Sequence, residues 1–369
     1  MIIPEYFLPD IIACMMKPIK VILFDWGDTV MRALPGSQGP MFKWKHVEAM
    51  PGIQTALQHL AAKYPLYLAT NAADSSPLEI HAALARVGVD DYFTDIFTAS
   101  KMGCAKPQIN FYNHILETLN LSAGEVIMVG DDLTADIAGA FNAGLRAIWV
   151  QANFFIPMRS HPLQSAELLI ADQLPSVIEH IQHHTLPELD ECAELLMKHV
   201  SHPGLHKHVF TVSLVAYFLA RLAQHNGLSL DPILAHRGGL LHDLDKLETV
   251  NPDNKHGAEA ARILNELGYA QLARIAISHS AFTILDPITA PNTLEEQIVY
   301  LADKMCEGDK IVDVDTRFAN LRKRYPNDLS LFNQSLSLIY KMESDLHLSI
   351  AMKNDKLIPY LQRKVSFIG

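Results

Sequence analysis

The sequence has little cysteine, no long apolar run and no excess of positive charge, and each absence excludes a class of protein. Four scattered cysteines in 369 residues, with no CxxC pair, exclude a disulfide framework and fit a reducing cytoplasm. No run approaches the roughly 20 apolar residues that a membrane span requires. A net charge of −11 leaves no electrostatic footprint for nucleic acid. We therefore expect neither a membrane nor a nucleic acid as a partner.

The length predicts two domains, because single hydrophobic cores stop growing at roughly 250–300 residues. Hydrophobic residues make up 49% of the chain, which is enough for two cores. Residues 1–16 are apolar but lack a basic region and a small-residue cleavage site, so we expect no signal peptide. Whether translation starts at Met1, Met15 or Met16 is left open.

The first half alternates short apolar runs with helical patterns, which predicts a parallel sheet covered by helices on both faces. Ligands of such sheets bind at the carboxyl ends of the strands. The predicted strands are 21–24, 66–69, 95–98, 126–129 and 147–150, with helices at 53–63, 77–87, 108–119 and 134–143.

The pattern changes after residue 150, where prolines and one short strand candidate at 168–170 precede an all-helical region. We predict a first domain over 17–172, a linker over 173–187 and a second domain over 188–369, in which no strand is expected. The helices predicted there cover 188–200, 206–224, 233–241, 256–267, 271–280, 294–307, 313–325 and 329–346.

Polar side chains follow four successive predicted strands, where parallel strand ends meet at one edge of the sheet. Carboxylates there suit Mg²⁺, and a fixed lysine, a hydroxyl and an amide suit phosphate oxygens. The candidates are Asp25, Gly27 and Asp28 after the first strand, Thr70 and Asn71 after the second, Lys106 after the third, and Asp131, Asp132 and Asp136 after the fourth.

This set resembles the haloacid dehalogenase (HAD) superfamily over roughly residues 17–171, with the run from Gly130 to Ala140 matching its last motif closely. The resemblance implies a Rossmann-like fold. It also implies that Asp25 is a nucleophile that forms an aspartyl-phosphate, and that Thr70 and Lys106 bind the phosphoryl group. Mg²⁺ would lie between Asp25, the Gly27 carbonyl and Asp131. Asp132 and Asp136 would support the metal or Lys106.

One position departs from that pattern. Phosphatases of the superfamily carry a second aspartate two residues after the nucleophile, where this chain has Gly27. Loss of positioned proton transfer costs about 10²–10⁴-fold in rate. Asp28 is the candidate replacement, although a shift of one residue points its carboxylate elsewhere. Only about 40 residues separate Thr29 from Thr70, so we also expect a minimal cap.

The second half contains a histidine–aspartate pair, His242-Asp243, at the end of an apolar helix and one turn before Lys246. An imidazole beside a carboxylate suits a divalent metal that faces a phosphate. Asp303 lies in a helix that is otherwise apolar, where an unpaired carboxylate is costly to bury. Further candidate ligands are His208, with His202 and His206 as competitors, and His256 and His279, which could instead cap helix ends.

These residues resemble the HD superfamily of metal-dependent phosphohydrolases. The resemblance implies one metal held by His208, His242, Asp243 and Asp303, and Lys246 as a phosphate-neutralising cation. His256 and His279 match subfamilies that hold a second metal, with Asp243 bridging. The glycine usual before the lysine is Asp245 here. The run from His256 to Lys304, with Arg317 beyond it, is similar to hydrolases of dinucleoside tetraphosphates.

We therefore expect an α/β HAD-like domain followed by an all-α HD domain in a cytoplasmic phosphohydrolase. The substrate is a small phosphorylated molecule, in our prediction a nucleotide. The expected cofactors are Mg²⁺ at the first site and, at the second, Mg²⁺ or one or two divalent transition metals. In the alternative, the first domain is a catalytically weak phospho-ligand-binding or regulatory module, or the whole chain is a non-enzymatic regulator. The oligomeric state is left open.

Overall fold

The computed structural model describes residues 18–150, 167–168, 171–200, 202–246 and 256–365. These residues form two compact units. The first holds the described residues up to His183 together with 188–190, and the second holds 184–187 and the described residues from Glu191 onward. The domain limits at 17–172, 173–187 and 188–369 stay a prediction. Part of the predicted linker is a helix of the first unit.

The first unit is built on a six-stranded sheet in the order β3-β2-β1-β4-β5-β6, in which every pairing is parallel. The predicted α/β fold class is thereby confirmed. The sixth strand overlaps the short predicted strand at 168–170, of which residues 169–170 lie outside the described part. The strands are β1 (Val21–Phe24), β2 (Leu66–Thr70), β3 (Phe93–Thr98), β4 (Val126–Gly130), β5 (Arg146–Val150) and β6 (Glu167–Leu168).

Helices follow the strands of this unit in sequence, as the apolar periodicity predicts. Short 3₁₀ turns cover Met41–Lys43, Asp90–Tyr92, Ala123–Glu125 and Ala171–Gln173. The α-helices are α1 (Ile53–Ala61), α2 (Pro77–Ala85), α3 (Ala99–Met102), α4 (Ile109–Leu119), α5 (Gly139–Asn142) and α6 (Leu174–His183).

The helix predicted over 134–143 is divided in the structure. Its first part, Leu133–Ala138, is a π-helical turn, and α5 follows directly. Turns of this kind are frequent at functional sites. Here the turn carries Asp136, whose side chain is buried.

The segment between β1 and β2 is short, and all of it is described. Residues 25–65 contain one 3₁₀ turn and α1, with no further helix or strand. This agrees with the minimal cap expected from the sequence. The carboxyl ends of β1 and β2 are therefore not separated by a large inserted domain.

From Leu189 onward the described residues are almost entirely helical, as predicted. No helix in the described part of the chain is both long and apolar enough to cross a membrane. Two 3₁₀ turns cover Thr283–Leu285 and Pro326–Asp328. The α-helices are α7 (Leu189–His199), α8 (Pro203–His225), α9 (Pro232–Leu241), α10 (Ala258–Glu266), α11 (Ala270–Ser278), α12 (Leu294–Lys304), α13 (Val314–Arg324), α14 (Leu329–Ile350) and α15 (Asn354–Val365).

Two expectations about this region were wrong. A small antiparallel hairpin, β7 (Cys306–Glu307) and β8 (Lys310–Ile311), occurs where no strand was expected, because two-residue strands are too short to show an alternating pattern. The last predicted helix ends at 346, whereas α14 continues to Ile350 and α15 follows it. Pro359 lies inside α15, and an internal proline argues against a helix in a sequence.

Candidate active sites

The first candidate site lies at the carboxyl ends of the central strands. Strands β1 and β4 pair in a register that sets Phe24 opposite Val129. The backbone N–H of Asp25 donates to the Val129 carbonyl at 2.9 Å, which ties the two strand ends together. Asp25 and Asp131 therefore emerge close to each other at one edge of the sheet, as the sequence predicts.

Lys106 reaches this edge from the loop between α3 and α4. The Asn71 side chain holds the loop: its Oδ1 accepts from the Lys106 N–H at 2.8 Å, and its Nδ2 donates to the Lys106 carbonyl at 2.9 Å. Lys106 Nζ then donates to Asp25 Oδ1 at 2.6 Å and to Asp136 Oδ1 at 2.5 Å. Asn71 was predicted to bind phosphate, but both polar atoms of its side-chain amide are hydrogen-bonded to the Lys106 backbone.

Three carboxylates cluster here, and Lys106 pairs with two of them, Asp25 and Asp136. Ligand oxygens of Asp25, Asp131 and Asp136 lie within 4.8 Å of one another, and with Lys106 they carry a formal charge of −2. Burial and the charge of Asp25 raise the pKa of Asp131 to about 6, and burial raises the pKa of Asp136. Burial opposes the charge of Lys106, yet Asp25 and Asp136 hold its pKa above the ordinary value. A divalent cation, which prefers oxygen ligands, would balance this negative charge.

The structure does not bring all the predicted residues into this cluster. Asp132 Oδ1 accepts from the N–H groups of Thr134 and Ala135, so it caps the π-helical turn. Asp28 has φ 51° and its Oδ1 accepts from the Ala33 N–H at 2.8 Å. One oxygen of its carboxylate is therefore hydrogen-bonded within the loop that follows β1.

Thr70 and Gly27 lie at the predicted edge. Thr70 ends β2, is buried, and its Oγ1 accepts from the Ala72 N–H at 3.2 Å. Gly27 follows β1 and forms a bridge with Met31.

Two neighbours of Asp131 were missed from the sequence. Thr29 Oγ1 donates to Asp131 Oδ1 at 3.2 Å, and Trp149 Nε1 donates to the Asp131 carbonyl at 2.8 Å. Thr29 follows the Asp28 position directly, so its proximity to the nucleophile could have drawn attention to it. Trp149 lies in β5 next to β4, and only the strand order reveals that contact.

The second candidate site depends on the close packing of α9 between α8 and α11. A Cβ at Gly239 would lie 2.5 Å from Ser213 Cα, and a Cβ at Gly238 would lie 2.7 Å from Ile275 Cδ1. Only glycine permits this approach without displacement of a neighbour. The pair sets His242, the C-cap of α9, between two helices that carry further candidate ligands.

His208, His242, Asp243 and Asp303 form the first group of this site, as predicted. Asp303 Oδ1 lies 3.0 Å from His208 Nε2 and 3.8 Å from His242 Nε2. Asp243 Oδ2 lies 3.5 Å and 3.4 Å from the same two nitrogens. All four residues are buried. The competitors are engaged elsewhere: the His202 ring caps α8, and His206 Nε2 lies 2.7 Å from the Val200 carbonyl.

The other carboxylate oxygen of Asp243 faces a second group. Asp243 Oδ1 lies 2.9 Å from His256 Nε2 and 3.2 Å from His279 Nε2, and these two nitrogens are 3.0 Å apart. Asp243 therefore belongs to both groups, one oxygen to each. His208, His242 and Asp243 have the composition and spacing to hold one metal ion, and Asp243, His256 and His279 have those to hold another.

Backbone carbonyls set the rings of His208, His242 and His279. A carbonyl oxygen only accepts, so each Nδ1 must carry the hydrogen, and each Nε2 faces the carboxylates, where a metal can take the place of a proton. The acceptors are the carbonyls of Gly308, Gly239 and Ala276, at 3.2, 2.8 and 2.6 Å respectively. Gly308 lies at the turn of the unpredicted β7–β8 hairpin.

Two lysines balance the acids of the second site. Lys246 Nζ pairs with Asp243 Oδ2. Lys304 Nζ donates to Asp303 Oδ2 at 2.7 Å and to the His279 carbonyl at 2.6 Å. Lys304 follows Asp303 directly, and sequence reasoning assigned it no role, because adjacent residues on a helix do not share a face.

Burial and neighbouring charges shift the pKa values of the carboxylates and histidines of this site. Burial acts against both carboxylates, yet His242 and Lys246 hold the pKa of Asp243 well below its ordinary value, and Lys304 and His208 do the same for the pKa of Asp303. Burial lowers the pKa of His279 to about 4. Burial also acts against the charge of the partly buried His256, but Asp243 and Asp245 raise its pKa to about 9. The carboxylates therefore stay ionised and His279 stays neutral, as metal ligands must, whereas a metal at His256 would have to displace a proton.

A cleft of about 240 Å³ opens beside this site. His256, His279 and Asp303 contribute to its floor, and Arg317 and Arg324 on α13 line it together with Lys246. Its other lining residues include three aromatic side chains, Phe282, Tyr325 and Phe332. A pocket with cations and aromatic faces next to a cluster of ligands suits a phosphorylated molecule with a planar group.

Comparison with known proteins places two families on this chain. The family model of haloacid dehalogenase-like hydrolases matches residues 38–144, and that of the HD domain matches residues 207–307. The combination predicted from the sequence is confirmed, whereas similarity to tetraphosphate hydrolases is not shown.

Three curated relatives illustrate the similarity. The Escherichia coli 5-amino-6-(5-phospho-D-ribitylamino)uracil phosphatase YigB is 30% identical over 152 residues, 40% of this chain and 60% of that protein. The Pyrococcus furiosus glyceraldehyde 3-phosphate phosphatase is 26% identical over 38% of this chain and 57% of its own length. The uncharacterized protein MJ0778 of Methanocaldococcus jannaschii is 34% identical over 36% of this chain and 85% of its own length.

The chain thus spans less than two thirds of the length of the first two relatives. Among solved structures, an uncharacterized protein from Listeria monocytogenes serotype 4b is similar with a TM-score of 0.40 and 22% identity, over 45% of this chain and 99% of that one.

Proposed function

This chain belongs to the haloacid dehalogenase-like hydrolases and also carries an HD domain, and we propose that it is a metal-dependent phosphohydrolase whose principal catalytic site is the HD site. The reaction is hydrolysis of a phosphoester or phosphoanhydride in a small phosphorylated substrate. One observation carries the proposal: Asp243 directs one oxygen to His208 and His242 and the other to His256 and His279.

The residues fit a metal by a test that does not depend on family. His242 Nε2 is buried and has no well-formed hydrogen bond to any other described residue, since its nearest carboxylate oxygen lies 3.4 Å away. Leaving such a lone pair unsatisfied is costly, and a cation would satisfy it. Divalent ions there would activate a water and offset phosphate charge. We assign one ion to His208, His242, Asp243 and Asp303, and a second to Asp243, His256 and His279.

The chain's own cations would hold the substrate. Lys246 and Arg317 line the cleft beside the ligand residues, where they can neutralise phosphate oxygens as the phosphate enters. Arg324 and Tyr325 lie on the same wall and offer a further charge and an aromatic face. This supports a nucleotide as the substrate class. We place the reaction in the cytoplasm, because the four cysteines of the sequence are scattered and form no CxxC pair.

The HAD site is proposed as a Mg²⁺-dependent phosphatase site of lower competence. Asp25 would be the nucleophile, Lys106 would hold its carboxylate and the phosphoryl group, and Asp131 and Asp136 would complete the ligand set. Gly27 stands where the acid–base aspartate is expected, and Oδ1 of the neighbouring Asp28 accepts from the Ala33 N–H. That contact also favours the alternative in which this domain binds a phosphorylated ligand and regulates.

The test is hydrolysis of p-nitrophenyl phosphate and a panel of nucleotides by the full chain with Mg²⁺ or Mn²⁺. We expect His242→Ala to reduce nucleotide hydrolysis by about 100-fold or more, since loss of outer-shell support alone costs about 10–100-fold. Asp25→Asn should leave that hydrolysis unchanged and remove the weaker Mg²⁺-dependent activity.

His225→Ala, at an exposed histidine that ends α8, is the matched control and should behave as wild type. Nucleotide hydrolysis that survives His242→Ala would defeat the assignment of the HD site. Loss of all activity in Asp25→Asn would make the first site the principal catalyst instead.

A further inference from the structure

Asp245 has no role in the proposed chemistry, yet it is fully buried two residues after the metal-ligand candidate Asp243. Its two carboxylate oxygens have different partners. Oδ1 lies 3.1 Å from His256 Nδ1. Oδ2 accepts from the N–H groups of Gly257, Glu259 and Ala260, at 2.8, 3.2 and 3.3 Å.

The Oδ2 contacts cap α10, since these N–H groups belong to the unsatisfied first turn of that helix. Gly257, the residue before α10, has φ 90° and offers no side chain for this purpose. The Asp245 side chain therefore supplies the cap from a distant position in the sequence. Capping explains one oxygen only and leaves the contact with His256 unexplained.

We propose that Asp245 is a positioning residue that fixes the tautomer and direction of His256, and so creates the second metal position beside Asp243. The inference rests on the proposed function, because it concerns the same site. A carboxylate accepts and does not donate, so the Asp245 contact holds a hydrogen on Nδ1 of His256. Nε2 faces Asp243 Oδ1 at 2.9 Å and is the nitrogen at which a metal would take the place of a proton. In His208, His242 and His279 a backbone carbonyl accepts the Nδ1 hydrogen and fixes the ring in the same way. In His256 the acceptor is the side chain of Asp245, which can be mutated.

Substitution by asparagine separates the two roles of Asp245. The amide oxygen of Asp245→Asn can take the place of Oδ2 and keep the cap of α10. Its NH₂ group then faces His256 Nδ1, so Nδ1 must accept and the hydrogen moves to Nε2. A protonated Nε2 is not a ligand, so the second metal position is weakened while the fold is kept.

The experiment is a calorimetric titration of the metal-free full chain with Mn²⁺, in an Asp131→Asn background that removes the cluster of the first unit. The background protein should bind two ions. Asp245→Asn should bind one with unchanged affinity and the other about 10–100-fold more weakly. His256→Ala should give the same result, and Asp245→Asn should add nothing to it in the double variant, since both act through one ring.

Asp313→Ala is the matched control for the loss of a cap, because Asp313 Oδ1 accepts from the Thr316 N–H at the start of α13. It should bind two ions as the background does. Two undiminished ions in Asp245→Asn, or an additive loss in the double variant, would overturn the inference and leave the proposed function standing. A background protein that binds no Mn²⁺ would overturn both.

Discussion

Asp131 lies in the carboxylate cluster of the first unit, beside Asp25 and Asp136. It is partly buried, and the charge of Asp25 adds to that burial in raising its pKa to about 6. Thr29 donates a hydrogen bond to the carboxylate, which acts in the opposite direction but does not cancel the rise. In the metal-free protein this carboxyl therefore takes up a proton at a pH where an exposed aspartate is ionised.

We predict that Mg²⁺ binding by the first unit weakens as the pH falls through about 6. The ion requires the carboxylate, and the raised pKa makes protons competitors for it. Below pH 6 the apparent affinity should fall by up to about tenfold per pH unit if one proton is displaced. Tryptophan fluorescence can follow the titration, because Trp149 Nε1 donates to the Asp131 carbonyl.

Asp131→Asn supplies the control for this titration. It removes both the ligand and the titrating group, so the Mg²⁺-dependent fluorescence change should disappear at every pH. A wild-type affinity that is constant between pH 7 and pH 5 would contradict the assignment of Asp131 as the proton-competed ligand.

At the residue scale the sequence predicts ligand types well and their supporting contacts poorly. His208, His242, Asp243 and Asp303 could be predicted because a metal demands particular atoms, and those residue types stand out in apolar helices. The carbonyl of Gly308 and the side chain of Lys304 could not, since any residue has a carbonyl and a lysine beside an aspartate is ordinary. Asp245 was visible only as a departure from a pattern.

At the scale of elements, the contact between α10 and α11 holds the second metal group together. Gly257 precedes α10 with φ 90°, and a Cβ there would lie 2.3 Å from the Ala276 carbonyl oxygen. That same oxygen accepts from His279 Nδ1 at 2.6 Å. The start of one helix is therefore packed against the carbonyl that orients a ligand on the next.

We predict that Gly257→Ala destabilises the protein by about 3 kcal/mol. The left-handed backbone costs a residue with Cβ roughly 1–2 kcal/mol, and overpacking against backbone adds about 1–3 kcal/mol. Displacement of the Ala276 carbonyl should also weaken Mn²⁺ binding by His279. Urea unfolding and calorimetric titration measure the two effects.

Gly268→Ala is the matched control within the same unit. Gly268 has φ 89°, and nothing lies within 4 Å of a Cβ built on it. It should cost roughly 1–2 kcal/mol, the backbone part alone, and leave metal binding unchanged. Equal costs in the two variants would show that the Ala276 contact contributes nothing.

Helices and strands were predicted where they carry a long apolar pattern. The predicted helix over 294–307 and the observed α12 differ because the chain leaves the helix at Lys304 and enters the β7–β8 hairpin. The division of 134–143 into a π-helical turn and α5 is likewise invisible to periodicity. It depends on where Asp136 must point.

At the scale of the whole molecule, the parallel sheet and the helical region followed from alternation and periodicity, and two units follow from length. The boundary is harder to predict, because a helix near the end of a domain has the same pattern as one at the start of the next. The case in point is α6. Its residues lie in the predicted linker over 173–187, yet they belong to the first compact unit.

Helix α6 has the contacts of a structural element of the first unit. Its apolar face buries Leu174, Val177, Ile178 and Ile181. Its Glu179 pairs with Lys63, just beyond α1. Gln182 Oε1 accepts from the backbone N–H of Ile19 at 2.7 Å, which attaches the end of the helix to the chain entering β1.

We predict that a fragment ending at residue 172 folds poorly, whereas one ending at residue 183 is stable. Four buried apolar side chains contribute about 1.5–3 kcal/mol each, which together approaches the 5–15 kcal/mol that stabilises a typical domain. Both fragments start at residue 17 and differ only in the eleven residues that contain α6. Urea unfolding followed by circular dichroism should show a cooperative transition for the longer fragment, at a midpoint that extension to residue 190 does not raise. Equal midpoints for the fragments ending at 172 and 183 would show that α6 does not stabilise the first domain, and would support the boundary predicted from the sequence.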